Sequence, residues 1–306
     1  MVPDDPPTLN LDTASTAPGW VQRAQPWLGT LVRIGVRGLD EATADAAIDR
    51  GFASVAAIHR LMSFHEPGSE LSRLNREAAS RKVAVDPRTL EVLRLSVTVA
   101  EASAGVFDPT IAPWLVAWEY LPSPADAPLP QAGATWRDID LDDDGVRYRR
   151  PLWIDLGGIA KGYAVDAAFE AMALPPEVEA CVDAGGDLRV QGPRPQRVVL
   201  NAPAQQPEAL PLLELTDGAV ASSTGFAARR RHERRWVSPH LHGGRRRPAP
   251  VERFASVVAP RCAVADALTK VALAAGPDAA ATYRHFDATA HLFSQGIGWH
   301  TVGRLA

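Results

Sequence analysis

The residues best placed to do chemistry lie in one run, Asp155-Leu156-Gly157-Gly158-Ile159-Ala160-Lys161-Gly162-Tyr163-Ala164-Val165-Asp166. Residues 151–154, ahead of it, predict a short strand. After it Val165 and Phe169, and likewise Ala164, Ala168 and Met172, recur four apart, the stripe of an amphipathic helix. Gly157, Gly158 and Gly162 therefore fall in a strand-to-helix turn, where missing Cβ atoms let the backbone approach a ligand closely. A helix start also aims unsatisfied N–H groups at whatever docks, which suits phosphate. The spacing is neither G-x-G-x-x-G nor a P-loop, because Lys161 lacks the preceding four-residue gap and the following Ser or Thr. Taken alone, the run reads more readily as a tight turn packed in an α/β core. Two further loops have related make-up: Gly105-Val106-Phe107-Asp108-Pro109-Thr110 and Ala184-Gly185-Gly186-Asp187.

The elements that must hold these loops follow from periodicity. Residues 31–37 alternate apolar and polar, the mark of a half-buried strand. Residues 41–62 predict a long helix with Ala46, Phe52, Val55, Ile58 and Met62 on or near one face. A capped helix is expected over 69–75 and another over 86–104, with Leu90, Leu93, Val97 and Ala100 inward. Residues 122–134, rich in Pro and Ala, read as a surface insertion or linker. Residues 179–183 and 188–191 read as antiparallel strands around the second Gly-Gly turn. Residues 198–201, 212–215, 220–223 and 254–259 continue the sheet. A helix over 263–275 ends at Gly276-Pro277, and residues 291–293 and 299–302 close the fold.

With 306 residues, 46% hydrophobic and 22% charged, the chain is ordinary globular material with length for one large domain or two. A net charge of -4 argues against a dedicated nucleic-acid binder. Cys181 and Cys262 have apolar neighbours and no Cys-x-x-Cys spacing, so both read as buried small hydrophobes. No apolar run is long enough to span a membrane. The first 26 residues lack a basic stretch followed by an apolar one, so neither signal peptide nor lipoprotein anchor is expected and the cytoplasm is the default. Residues 1–24 are expected to be disordered or loosely attached, and residues 25–306 to form one domain.

Five separated segments, taken together, resemble the ApbE family of FAD:protein FMN transferases. They are Leu28-Gly29-Thr30, residues 62–75 with Ser-Glu-Leu-Ser-Arg-Leu-Asn, residues 105–113 with Phe-Asp-Pro-Thr, residues 155–166 with residues 183–192 and their Gly-Gly-Asp, and residues 265–276 with Ala-Asp-Ala-Leu. The resemblance covers residues 25–306. It implies an α+β fold of antiparallel or mixed sheets flanked by helices, with a flavin cleft between two closely packed lobes. It also implies transfer of FMN from FAD, as a phosphoester, to a Thr or Ser of an acceptor flavoprotein, with release of AMP and usually with Mg²⁺. By motif position, the Ala160 and Ala263 carbonyls and the Asp266 carboxylate would hold the metal, oxygen ligands being what this hard cation takes. Asp266 and His240 would be catalytic. Gly157 and Tyr163 would line the FAD site, with Val106, Phe107 and Asp108 beside adenine or isoalloxazine. His65 stands where relatives often carry a flavin-stacking aromatic, and Leu28 where they usually carry Met. For Asp155 and Asp183, beside glycines, turn caps are as expected as ligands. Neither nucleic acid nor membrane insertion is expected.

Further positions depart from the family pattern. Aligned without gaps, Pro239 replaces the His thought to help deprotonate the acceptor hydroxyl, and His240 stands one position along. In a strand such a shift turns the side chain to the opposite face. Where relatives tend to carry Thr, four residues beyond the metal-binding Asp, this chain has Lys270. An ammonium cannot ligate Mg²⁺. The expectation is a weakened metal site, completed by water and the Thr269 hydroxyl; the alternatives are a Lys270 charge that takes over part of the cation's task, or a solvent-facing lysine. The arginines between 229 and 247 read as a solvated hairpin, with an acidic acceptor or a diphosphate as other partners. Two rival functions share the fold: a flavin-binding protein that has lost transfer, and a hydrolase splitting FAD into FMN and AMP.

Overall fold

The structure, a computed structural model, describes residues 19–202, 210–226 and 228–303. Most of the segment expected to be loose, residues 1–18, lies outside the described residues. Residues 20–24 do not belong to such a segment. They open strand β1 (Trp20–Trp27), which pairs along its whole length with β2 (Thr30–Arg37). The two-residue hairpin tip places Leu28 and Gly29 at φ 56° and 73°, the left-handed pair that a tight hairpin needs.

Helices α1 (Glu41–Met62) and α2 (Glu70–Glu77) start where short polar side chains accept first-turn N–H groups. Asp40 takes the Thr43 N–H and Ser69 the Ser72 N–H, both at 3.0 Å. The buried stripe of α1 runs through Ala47, Ile48, Phe52 and Val55, leaving Ala46 exposed, contrary to expectation. Helix α3 (Pro87–Ala102) has Pro at its first position, where no N–H is missed. A 3-10 turn at Pro109–Ile111, helix α4 (Ala112–Ala117) and a hairpin of β3 (Ile139–Asp142) and β4 (Gly145–Tyr148) follow.

Residues 151–156 run extended but pair with no strand among the described residues. The Asn75 side chain replaces the ladder: it accepts the Ile154 N–H at 2.8 Å and donates to the Ile154 carbonyl at 3.0 Å. That clamp delivers the chain to the organising turn and helix α5 (Ala160–Met172).

Strands β5 (Glu179–Ala184) and β6 (Asp187–Gln191) then form the expected antiparallel pair. Strands β7 (Gln196–Val199) and β8 (Leu212–Leu215) do not continue that sheet. Their inward Val198, Leu213 and Leu215 cover Cys181, Leu188, Val190 and Val220 on one face of it, while Arg197 and Glu214 pair outward at 3.1 Å. Strand β9 (Gly218–Thr224) rejoins the sheet, and the arginine-rich region folds as two small hairpins, β10 (Arg230–His232) with β11 (Arg235–Val237) and β12 (Leu241–His242) with β13 (Arg247–Pro248). Strand β14 (Arg253–Ala259), helices α6 (Cys262–Ala275) and α7 (Ala280–His285), and strands β15 (Thr289–Ser294) and β16 (Gly298–Gly303) complete the chain.

The main sheet has eight strands, all antiparallel, in the order β1-β2-β5-β6-β9-β14-β15-β16. Helices α1, α5 and α6 cover its other face. One apolar body joins Ile34, Val36 and Val182 of the sheet to Phe52 and Val55 of α1 and Phe169 and Met172 of α5. A second joins α2, α3, the extended segment and α6 through residues such as Leu74, Leu93, Ile154 and Leu268. Leu28 touches both bodies, so the hairpin tip sits on their seam.

Candidate active site

Helices α5 and α6 have no side-chain cap from their own N-cap residues, Ile159 and Arg261. Each is capped by the other. Asp166 of α5 accepts the Cys262 and Ala263 N–H groups at 3.0 and 2.9 Å, and Asp266 of α6 accepts the Gly162 N–H at 3.1 Å. Both carboxylates are buried, so these are charge-assisted bonds in a poorly solvated place. The exchange requires Gly162. A Cβ there would lie 2.8 Å from the Asp266 Cβ and closer still to the Cys262 carbonyl oxygen. Two of the N–H groups expected to be free at the start of α5 are engaged: the Ala160 N–H bonds the Leu156 carbonyl at 2.8 Å, and the Gly162 N–H is held by Asp266.

The second oxygen of Asp266 pairs with the Lys270 ammonium, one helical turn on. Lys270 also donates to the Ser223 and Thr269 hydroxyls, each at 3.1 Å, and those hydroxyls bond each other at 2.8 Å. Nearby, Lys161 meets Asp187 at 3.2 Å. Asp187 is fully buried; desolvation, helped by the Asp266 charge, pushes its carboxyl up to about 7 against the pull of Lys161 and Lys270. Asp155 is raised by burial, with the Gly157 N–H (3.1 Å), His65 and Lys270 opposing. Asp155 and Asp183 are both turn caps, Asp183 taking the Gly186 N–H at 3.2 Å. A Cβ on Gly158 would stand 3.4 Å from the Phe107 ring and 3.6 Å from the Lys270 stem, so those three residues converge in front of the turn.

His240 joins this cluster. It lies in the loop between β11 and β12, where strand alternation does not apply, so the one-residue offset does not turn it away. The ring is half-buried and its Nδ1 has no hydrogen-bond partner. Desolvation first and the Lys270 ammonium second push its imidazole down to about 3, with a hydrogen bond to the Thr224 backbone and then the Asp266 charge opposing. His242 instead spends its Nδ1 accepting the Arg245 N–H at 3.3 Å.

The Gly105–Asp108 loop is sewn to the turn after β12. Gly243 and Gly244 donate to the Val106 and Gly105 carbonyls at 2.9 and 2.6 Å. Arg246 reaches the buried Asp108 at 2.9 Å, Thr110 at 3.2 Å and the Ala134 carbonyl at 3.0 Å. The Asp108 carboxylate, which also accepts from the Thr110 N–H and hydroxyl, thus holds the loop while Phe107 faces the turn and Val106 stays half-buried. By contrast Arg229, Arg230, Arg231, Arg234 and Arg235 are exposed, as a solvated hairpin requires.

Among the residues expected to bind flavin or metal, Phe107 and Asp266 are brought together through Gly158 and Lys270, with Gly157 next in the chain and His240 within reach of the Lys270 and Asp266 charges. His65 is exposed at the rim, beside Asp155. Leu28 sits at the hairpin tip, whose Thr30 abuts Gly185. Tyr163 does not join them through its polar atom: its hydroxyl donates to Glu91 of α3 at 2.8 Å, and Arg261 takes the other Glu91 oxygen at 2.8 Å. Ala160 and Ala263 are buried in the first turns of α5 and α6. The sequence reading passed over Lys161, Asp166, Asp187, Ser223 and Arg246. Asp166 and Asp187 lay inside the quoted motifs; nothing in the arginine run singled out Arg246.

The model of the ApbE family matches residues 28–293. FAD:protein FMN transferase of Klebsiella pneumoniae is 26% identical over 215 residues, 65% of this chain and 61% of the relative. The enzyme of the same name from Rhodobacter capsulatus is 32% identical over 189 residues, 57% of this chain and 36% of the relative. The aligned part thus spans less than two thirds of these relatives' own length. Among solved structures, the ApbE protein of Thermotoga maritima aligns with a TM-score of 0.79 at 25% identity, over 92% of this chain and 97% of that one. The flavin transferase ApbE of Vibrio cholerae aligns over 92% of this chain and 96% of its own with a TM-score of 0.76 at 22% identity, a likeness of fold. With the family model spanning most of its length, the chain belongs to the ApbE family.

Proposed function

We propose that this chain is an FAD:protein FMN transferase. The hydroxyl oxygen of an acceptor Thr or Ser attacks the FMN-side phosphorus of FAD. The new P–O bond replaces the bridging P–O bond, AMP leaves, and the hydroxyl proton passes to a base. The observation that carries this reading is the convergence of the glycine turn, Phe107, the Lys161–Asp187 and Lys270–Asp266 pairs and a neutral His240 at the α5–α6 junction. Phosphoryl transfer needs little from a protein beyond alignment of the diphosphate and opposing charge, and Lys161 and Lys270, each paired with a carboxylate, are the cations of the junction that support the reading.

In this reading the flavin or adenine lies against Val106 and Phe107, with Gly157 and Gly158 allowing close approach and Leu28 and His65 at the rim. Asp108 acts through the loop it fixes. His240 is the base. Its low proton affinity is partly the work of Lys270, so an anionic diphosphate beside that lysine raises it toward the operating range.

Mg²⁺ on Asp266 with the Ala160 and Ala263 carbonyls does not fit this donor set. One Asp266 oxygen pairs with Lys270 and the other accepts the Gly162 N–H, so a divalent cation there would share the carboxylate with an ammonium whose charge repels it. Cytoplasmic residence belongs to the same proposal and is supported by two buried, unpaired cysteines.

The test is incubation with FAD, Mg²⁺ and a candidate acceptor, followed by assay of AMP and of fluorescent protein. AMP with labelled acceptor supports the proposal. AMP alone means hydrolysis, and neither means a binding protein. A His240→Ala protein that transfers at the parental rate would remove His240 as the base.

A further inference from the structure

Around the Lys270 nitrogen stand three oxygens from two elements: the Asp266 carboxylate, the Thr269 hydroxyl at 3.1 Å and, from β9, the Ser223 hydroxyl at 3.1 Å. That is a shell of oxygens closing on a positive charge, and an ammonium with three donors fills it. The residue is only 16% exposed on its side chain and Asp266 not at all. Its stem passes Gly158, so the charge is delivered to the front of the glycine turn.

The surrounding charges need it. The Asp266 charge acts on both Asp155 and Asp187 across the junction, and Lys161 is bound to Asp187. Without Lys270, three carboxylates would face one ammonium, and an arriving diphosphate would add more negative charge. A divalent cation would answer that need in a site with a free carboxylate oxygen. Here the Lys270 ammonium already sits on one Asp266 oxygen and the Gly162 N–H on the other.

We infer that the Lys270 ammonium stands in for a divalent cation at the diphosphate site, so that FAD binds without metal. The inference rests on the reading of the junction as an FAD site. On binding, the ammonium keeps Asp266 and exchanges a hydroxyl partner, Ser223 or Thr269, for a diphosphate oxygen; the two hydroxyls retain each other at 2.8 Å.

The test is calorimetric titration of FAD into metal-stripped protein, in EDTA and in Mg²⁺, for the parent, Lys270→Met and Lys270→Thr. The parent is expected to bind equally in both buffers, within about twofold. Lys270→Met should lose about tenfold or more in EDTA, and Lys270→Thr should bind well only with Mg²⁺. A parent that needs Mg²⁺ to bind FAD overturns the inference and leaves the functional reading standing. A parent that binds FAD in neither buffer overturns both. Thermal unfolding of each variant is recorded alongside; if a variant does not fold, the parent's two titrations decide alone.

Discussion

Gly162→Ala probes the contact on which the junction depends. Alanine is the better helix former by about 1 kcal/mol, so a solvent-facing glycine at this position of α5 would gain from the change. Gly162 faces α6. The added Cβ would lie 2.8 Å from the Asp266 Cβ, where carbon atoms prefer roughly 3.5–4.0 Å, and it would also strike the Cys262 carbonyl, which is backbone and cannot rotate away. The helices must part by about 1 Å. Overpacking of this kind costs ~1–3 kcal/mol. The separation also stretches the bond from the Gly162 N–H to the Asp266 carboxylate, of a class worth ~1.5–3 kcal/mol. After the gain in helix propensity, the expected loss is about 2–4 kcal/mol, or roughly 3–6 °C in midpoint for a chain of this size. Urea and thermal melts measure it. Gly158→Ala is the control, since its Cβ would meet only ordinary contacts of 3.4 and 3.6 Å. A Gly162→Ala protein as stable as the parent, or a control that loses as much, would refute the reasoning.

Asp166→Ala removes the acceptor for two α6 N–H groups, so hydrogen exchange at Cys262 and Ala263 should quicken and stability fall by about 2 kcal/mol or more; unchanged exchange contradicts the cross-helix cap. Arg246→Ala leaves the buried Asp108 without its cation and should cost about 3 kcal/mol or more in a urea melt; a loss below about 0.5 kcal/mol would show the clamp to be idle. With His240 held down to about 3, the unfolded chain takes up a proton below its ordinary value near 6.5 while the folded chain does not. The His240 contribution to stability is therefore lost as pH falls from about 6.5 toward 3, with a limiting slope of about 1.4 kcal/mol per pH unit. His240→Asn should flatten that slope in melts taken across the window, and parallel curves would contradict it.

What the sequence made legible was local. Caps such as Asp40, Ser69 and Asp86 and the stripes of α1, α3 and α6 write their elements into neighbouring residues, so those helices emerge within a residue or two of their bounds. The motif order carried the family and named Asp266 and Phe107, with His240 one position from the family's His; these residues lie about the α5–α6 junction. The interactions that were not legible connect residues far apart in the chain. Nothing in the local pattern of residues 151–154 says that Asn75 replaces a strand partner, or that β7 and β8 lie across the sheet instead of extending it. The reciprocal caps Asp166 and Asp266 are invisible for the same reason: each serves the other's helix, about a hundred residues away. Lys270 was visible as a departure, but choosing among metal loss, charge substitution and a solvent-facing lysine required its contacts with Ser223 and Thr269.

The central claim is that the α5–α6 junction seats the diphosphate of an intact dinucleotide, with the Gly105–Asp108 loop against one of its rings. Calorimetry with FAD, FMN and riboflavin tests it most directly. The account predicts FAD binding at least about tenfold tighter than FMN, with riboflavin weakest, because only FAD spans both contact regions and carries the diphosphate. Equal affinity for all three would contradict it, showing that neither the adenylate half nor the diphosphate is recognised.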